Sequence, residues 1–175
     1  MTTNRSLRVI GLISDTHGLL RPEALEALRG CDFIVHAGDV GDGAILERLS
    51  RIAPVTAVRG NNDHGAWASA LPQSARLEVG ARRIYVIHDI AQLDSDPAAR
   101  GIDAVVFGHS HQPKAEWRGG VLYVNPGSAG PRRFRLPISI ARLAVADDRI
   151  DAKLVALAVA PANPPPQRRK PVASR

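Results

Sequence analysis

Residues 7–17 read LRVIGLISDTH, an apolar run of Leu, Ile and Val that stops abruptly at Asp15-Thr16-His17. A run this aliphatic suits a strand buried on both faces, as strands in parallel sheets are. The same grammar returns at 33–39, FIVHAGD, and at 55–63, VTAVRGNND, each an apolar stretch ending in glycine and a polar residue. Helical patterns lie between them. PEALEALRG, residues 22–30, has proline and glutamate in its first turn and glycine to end it, and residues 45–52 carry helical periodicity. Three successive strand-loop-helix units predict a parallel sheet with right-handed crossovers.

The second half changes style. Segments 76–79 and 83–88 flank Gly80-Ala81, 115–118 and 121–125 flank Gly119-Gly120, and 138–146 and 149–157 flank Asp147-Asp148. Two-residue connections of this chemistry between apolar runs predict three β-hairpins. Residues 103–107, DAVVF, form another buried strand, ending at Gly108-His109-Ser110-His111. Both styles are accommodated by an α/β fold with two mixed sheets packed face to face and helices outside.

The 175 residues suit one domain, 1–160, followed by a separable segment. Residues 161–175, PANPPPQRRKPVASR, are rich in proline and basic side chains and predict a disordered tail that solubilises the chain or contacts an acidic partner. Arg168, Arg169, Lys170 and Arg175 supply four of the six net positive charges, so the body is nearly neutral. Nucleic acid is therefore a possible partner but not a favoured one, and an aromatic content of 4% offers little on which bases could stack. Cys31 is the one cysteine and reads as a small buried hydrophobe. With no signal-peptide pattern and no run of about 20 apolar residues, the expected compartment is a reducing cytoplasm, without membrane contact.

Five strand ends terminate in side chains able to hold a metal: Asp15 with His17, Asp39, Asn61, His88, and His109 with His111. Ligands in open α/β sheets gather beyond the carboxyl ends of strands, where apolar runs fix the backbone. In extended chain, residues i and i+2 point the same way, so each D-x-H or H-x-H pair is expected to converge on one centre. Imidazole, carboxylate and amide oxygen without thiolate suit manganese, iron, zinc or nickel rather than calcium. Seven ligands divide between two ions if one carboxylate is shared, and paired divalent ions suit in-line hydrolysis of a phosphate ester.

The order D-x-H, G-D, G-N-x-D, an isolated His after a strand, then G-H-x-H resembles the calcineurin-like metallophosphoesterase superfamily, and Asn125-Pro126-Gly127-Ser128 resembles its small prokaryotic YfcE-like phosphodiesterases. The resemblance implies a four-layer α/β/β/α sandwich, with Asp15, His17 and His111 on one ion, Asn61, His88 and His109 on the other, and Asp39 between them. It further implies manganese as the activating ion and attack on phosphorus by a hydroxide held between the two ions, with Asn61 and His109 positioning phosphoryl oxygens. Larger relatives often carry a His after the ligand Asn as general acid, supported by the acid that follows. Asn62 and Asp63 occupy those positions here, and Asn cannot serve as a general acid near neutral pH.

That departure leaves His64 or a metal-bound water as the proton source, or substrates whose leaving groups need no proton, and together with the resemblance to the phosphodiesterases it favours diesters over monoesters. Asn62, Arg132 and Arg133 are candidate substrate contacts, since guanidinium groups match phosphate oxygens. His36 reads as a hydrogen-bonded interior residue and Trp67 as packing beneath the Asn61 loop. The expected substrate is a small phosphate ester, and a homo-oligomer is compatible with the chain. The alternatives are a phosphomonoesterase or nuclease of the same fold, or a protein-binding scaffold like the retromer subunit that shares it.

Overall fold

A computed structural model describes residues 7–159; the expected tail, 161–175, lies outside the described residues. Strands β1 (Arg8–Ile13), β2 (Phe33–His36) and β3 (Val55–Ala57) alternate with helices α1 (Pro22–Ala27) and α2 (Gly43–Ser50). They pair in parallel, with Ile10 opposite Phe33 and Ile34 opposite Val55. Helix α1 starts on Pro22, where the missing N–H costs nothing. Helix α2 starts two residues earlier than its periodicity predicts, because the Asp42 carboxylate accepts the Ala44 N–H (2.9 Å) and caps it. A short helix α3 (Ala66–Ser69), which apolar periodicity does not reveal, follows the Asn61 loop.

All three hairpins form with the expected two-residue turns: β4 (Ser74–Val79) with β5 (Arg82–Ile87), β7 (Lys114–Arg118) with β8 (Val121–Asn125), and β9 (Ser139–Ala146) with β10 (Arg149–Ala156). Gly119 and Gly120 both take positive φ, as a tight hairpin turn with the sheet's own twist requires. Strand β6 (Ala104–Val106) runs parallel to both β5 and β8. The first sheet therefore has the order β10-β9-β1-β2-β3 and the second β4-β5-β6-β8-β7.

Alternation along β1 explains the layering. Ile10 and Leu12 point between the sheets, meeting Val86, Val106 and Val124 of the second sheet, whereas Ile13 packs with Leu28, Ile45 and Leu49 on the helix side. Trp67 and Leu71 pack against that helix-side cluster, as the sequence suggests. The outer face of the second sheet buries Tyr85, Val105, Phe107 and Tyr123 with Ile102, and Ile90 and Leu93 pack against them. Among the described residues this fourth layer is a loop carrying one 3-10 turn, Ile90–Gln92.

Candidate metal centre

Each candidate ligand leaves the carboxyl end of a parallel strand: β1 leads to Asp15 and His17, β2 to Asp39, β3 to Asn61, β5 to His88, and β6 to His109 and His111. Both sheets thus open onto one end of the sandwich. Six described non-glycine residues have positive φ, and five of them are Asp15, His17, Asp39, His109 and His111 (φ 47–67°). The i/i+2 convergence expected of extended chain is therefore corrected: these pairs converge through left-handed backbone. That conformation is costly for such side chains and collects at functional sites.

The side chains meet in two adjoining groups. In the first, Asp15 Oδ1 lies 3.2 Å from His111 Nε2 and 3.9 Å from His17 Nε2, and the two imidazole nitrogens are 3.3 Å apart. In the second, Asn61 Oδ1 lies 3.1 Å from both His88 Nε2 and His109 Nδ1. Asp39 Oδ2 sits between them, 3.8 Å from His17 Nε2 and 3.5 Å from His88 Nε2. Asp15 Oδ1 is buried without a hydrogen-bond partner, an orphaned anionic oxygen that a cation would satisfy. Its other oxygen accepts from Ser14 Oγ (2.7 Å) and the His109 N–H (3.2 Å), so the carboxylate is aimed.

Surrounding groups hold the donors in place. His88 donates its Nδ1–H to the Ala37 carbonyl (2.7 Å), leaving Nε2 facing the oxygens of Asp39 and Asn61. An imidazole oriented this way is how proteins prepare a metal ligand. Burial alone lowers the His88 pKa, but Asp39 and the Ala37 carbonyl outweigh it and raise the imidazole above its ordinary value. Burial likewise opposes ionisation of Asp39, yet His88 and two Asn62 donors hold its carboxyl far below the usual range. Burial lowers His17, with Asp39 and Asp15 offsetting part of that effect and Arg133 adding to it.

His36 is not a ligand here. Its Nδ1 accepts the Gly38 N–H (3.2 Å), so Nε2 carries the proton and donates to Thr16 Oγ1 (2.9 Å), which in turn donates to the Val40 carbonyl (2.9 Å). This relay ties the Asp15–His17 loop to the Asp39 loop, and desolvation pulls the His36 pKa to about 4, keeping the ring neutral. Asn125 plays a similar part, donating to the Gly108 carbonyl (2.8 Å) and Ser110 Oγ (3.0 Å), while Ser128 Oγ donates to the Asp15 carbonyl (2.9 Å). Ser14 and Thr16 are positioning residues that sequence reasoning missed. Only their place inside the strand-end motif could have marked them.

Two further candidates are engaged by their neighbours. Asn62 donates its backbone N–H to Asp39 Oδ1 (2.8 Å) and its amide N–H to Asp39 Oδ2 (2.7 Å). Asp63 is buried, and its two oxygens accept the N–H groups of Gly41 and Gly60 (2.8 Å each), so it clamps two loops. His64 is exposed and lines a cavity of about 360 Å³ that also touches Asn61, His88 and His109. Arg132 and Arg133 are exposed on a different segment, and the Arg133 guanidinium acts electrostatically on His17.

Residues 9–148 match the calcineurin-like phosphoesterase superfamily domain. A probable metallophosphoesterase of Methanocaldococcus jannaschii is 37% identical over 161 residues, covering 84% of this chain and 80% of that one. The solved structure of YfcE, a phosphoesterase from E. coli, superposes with a TM-score of 0.63 at 26% identity, over 85% of this chain and 99% of that one. Vacuolar Protein Sorting 29 from Cryptosporidium parvum superposes with a TM-score of 0.70 at 19% identity, covering 85% and 97%, which speaks for the fold alone. With five strand ends delivering carboxylate, amide and imidazole donors to one rim, and with these likenesses along most of its length, the chain belongs to the calcineurin-like phosphoesterase superfamily.

Proposed function

We propose that this chain hydrolyses phosphodiesters, with Asp15, His17 and His111 holding one divalent ion, Asn61, His88 and His109 a second, and Asp39 shared between them. The observation that carries the reading is Asp15 Oδ1, buried and unpartnered against two imidazoles while its sister oxygen is satisfied. The place of Asp39 Oδ2, within 3.8 Å of a histidine from each group, supports its sharing. When bound, paired divalent ions supply an activated water and neutralise charge on the phosphoryl group. Manganese fits a donor set of imidazole, carboxylate and amide without thiolate, and iron, zinc and nickel are the competitors.

The protein's own contribution is orientation. Asn61 and His109 are the exposed members of the set, so they meet the phosphoryl oxygens first, while Asp15, Asp39, His88 and His111 are buried behind them. His64, at the cavity wall, is the nearby imidazole free to donate a proton to the departing alcohol. The exposed Arg133, which acts on His17, and its neighbour Arg132 stand as outlying anion contacts. Relatives named phosphodiesterase YfcE, 29% identical, support diesters over monoesters. No described helix is long and apolar enough to cross a membrane, and the lone buried Cys31 suits a cytoplasmic setting. A protein-binding scaffold has no need of seven converging donors.

The test is a metal-stripped chain reloaded with each ion and assayed on diesters and monoesters, with bound metal counted. Two ions per chain and manganese-dependent turnover of diesters are expected, and Asp39→Asn should cut kcat at least about tenfold, or about 1.4 kcal/mol in the barrier. A single bound ion, turnover without metal, or an active Asp39→Asn enzyme would overturn the proposal.

A further inference from the structure

The cavity of about 360 Å³ beside Asn61, His88 and His109 continues outward between Arg59, His64, Gln73 and Gln92. Among the described residues no Phe, Tyr, Trp or aliphatic side chain lines it. Arg59 lies two residues beyond the end of β3, with its backbone N–H donating to the Pro72 carbonyl (2.9 Å). Arg59 is partly buried and its guanidinium lies against the Gln73 amide, which, assigned with its oxygen toward the guanidinium so that donors meet an acceptor, accepts from Arg59 Nε (3.2 Å) and Nη2. A neutral partner engages two of its nitrogens, and no carboxylate pairs with it among the described residues. Guanidinium presents five N–H donors, so several face the cavity.

We infer that this cavity binds one ester arm of the substrate and that the arm is a polyol, with the Arg59–Gln73 pair as its specificity determinant. The inference rests on the phosphodiesterase reading of the adjoining centre. Three rival arms fit less well. A nucleobase stacks best on a broad Phe, Tyr or Trp face, and the described lining offers only imidazoles, two of them candidate metal ligands, and the guanidinium already engaged by Gln73. A second anionic group meets Asp89, whose carboxylate is in the same wall and caps the 3-10 turn through the Ala91 N–H (2.9 Å). A plain alkyl chain leaves the donors of Arg59, Gln73 and Gln92 desolvated and unpaired, and such sites reject analogues lacking the hydroxyl. A hydroxyl-bearing arm accepts from Arg59 and the Gln73 amide nitrogen and donates to Gln92 and Asp89. The volume admits a glycerol- or sugar-sized group.

Two diesters with the same methyl arm test this, glyceryl methyl phosphate and propyl methyl phosphate, with release of glycerol or propanol followed on the manganese-loaded chain. The kcat/KM ratio should favour the glyceryl ester by roughly 10- to 100-fold, the range of a hydrogen bond to a charged group. Arg59→Met should collapse the ratio to within about threefold of unity, and Arg59→Lys should retain part of it. Calorimetric titration with glycerol 1-phosphate and propyl phosphate reads the same cavity without turnover, so binding preference with no hydrolysis upholds this inference while sinking the phosphodiesterase reading. Should Arg59→Met fail to fold, Gln73→Leu, at an exposed position, releases the guanidinium and should lower the ratio too. A wild-type ratio near one, or a preference that survives these substitutions, overturns the assignment.

Discussion

Asn62 donates twice to Asp39, and this pair shows how one side chain is recruited to hold another. The two N–H groups stabilise the carboxylate in its ionised form and fix its plane, which orients Oδ2 between His17 and His88. Loss of such an orienting donor typically costs 10- to 100-fold in metal affinity or activity. Asn62→Ala should therefore raise the manganese concentration for half-maximal activity by roughly that factor, with a smaller fall in kcat at saturating metal. If kcat falls tenfold at saturation while the activation curve stays put, Asn62 acts on the substrate and the contact with Asp39 is incidental.

At the scale of elements, the site is a packing problem between strand ends that approach one another unusually closely. A Cβ at Gly108 would strike Ser14 Oγ and lie 2.7 Å from Asp15 Oδ2, and one at Gly60 would strike the Asp39 backbone and carboxylate. These glycines precede His109 and Asn61 because backbone must pass where a neighbouring loop places its ligand. Gly108→Ala should destabilise the chain by about 1–3 kcal/mol, as overpacking does, and should weaken metal binding by displacing Asp15. Urea denaturation with and without manganese measures both effects. A variant with wild-type stability and wild-type metal affinity would show that the β1 and β6 loops have slack the structure does not display.

Across the whole molecule, the cost of assembling this rim is visible in how stability depends on pH. His36 titrates near 6.5 in the unfolded chain and at about 4 in the fold, where it is completely buried. Between those values the unfolded state binds a proton that the folded state does not, so stability is full above pH 6.5 and falls as pH drops through about 4. Asp39, whose folded pKa is depressed, adds a further loss as pH falls below the ordinary carboxylate range. His36 alone should cost the metal-stripped chain on the order of 3 kcal/mol between pH 7 and pH 4, offset in part by His88, whose raised pKa stabilises the fold as pH falls, and the net loss is read from denaturant midpoints at each pH. A flat profile would mean that His36 protonates inside the fold and that the Thr16 relay is dispensable.

Much of this architecture is legible along the chain. Apolar runs that stop at Asp15, Asp39, Asn61, His88 and His109 reveal the parallel strands, because burial on both faces demands unbroken aliphatic sequence. The hairpins announce themselves through their two-residue turns, and donor chemistry in a set order identifies the candidate ligands. What the sequence cannot express is distance and direction between segments far apart in it. The left-handed backbone at five donors, the turn of Asn62 onto Asp39, the clamp made by Asp63 and the placement of Arg133 apart from the Arg59 cavity all depend on which loops the packed sheets bring together. Local pattern decides which residues leave each strand end; the packing of two sheets decides what each of them can reach.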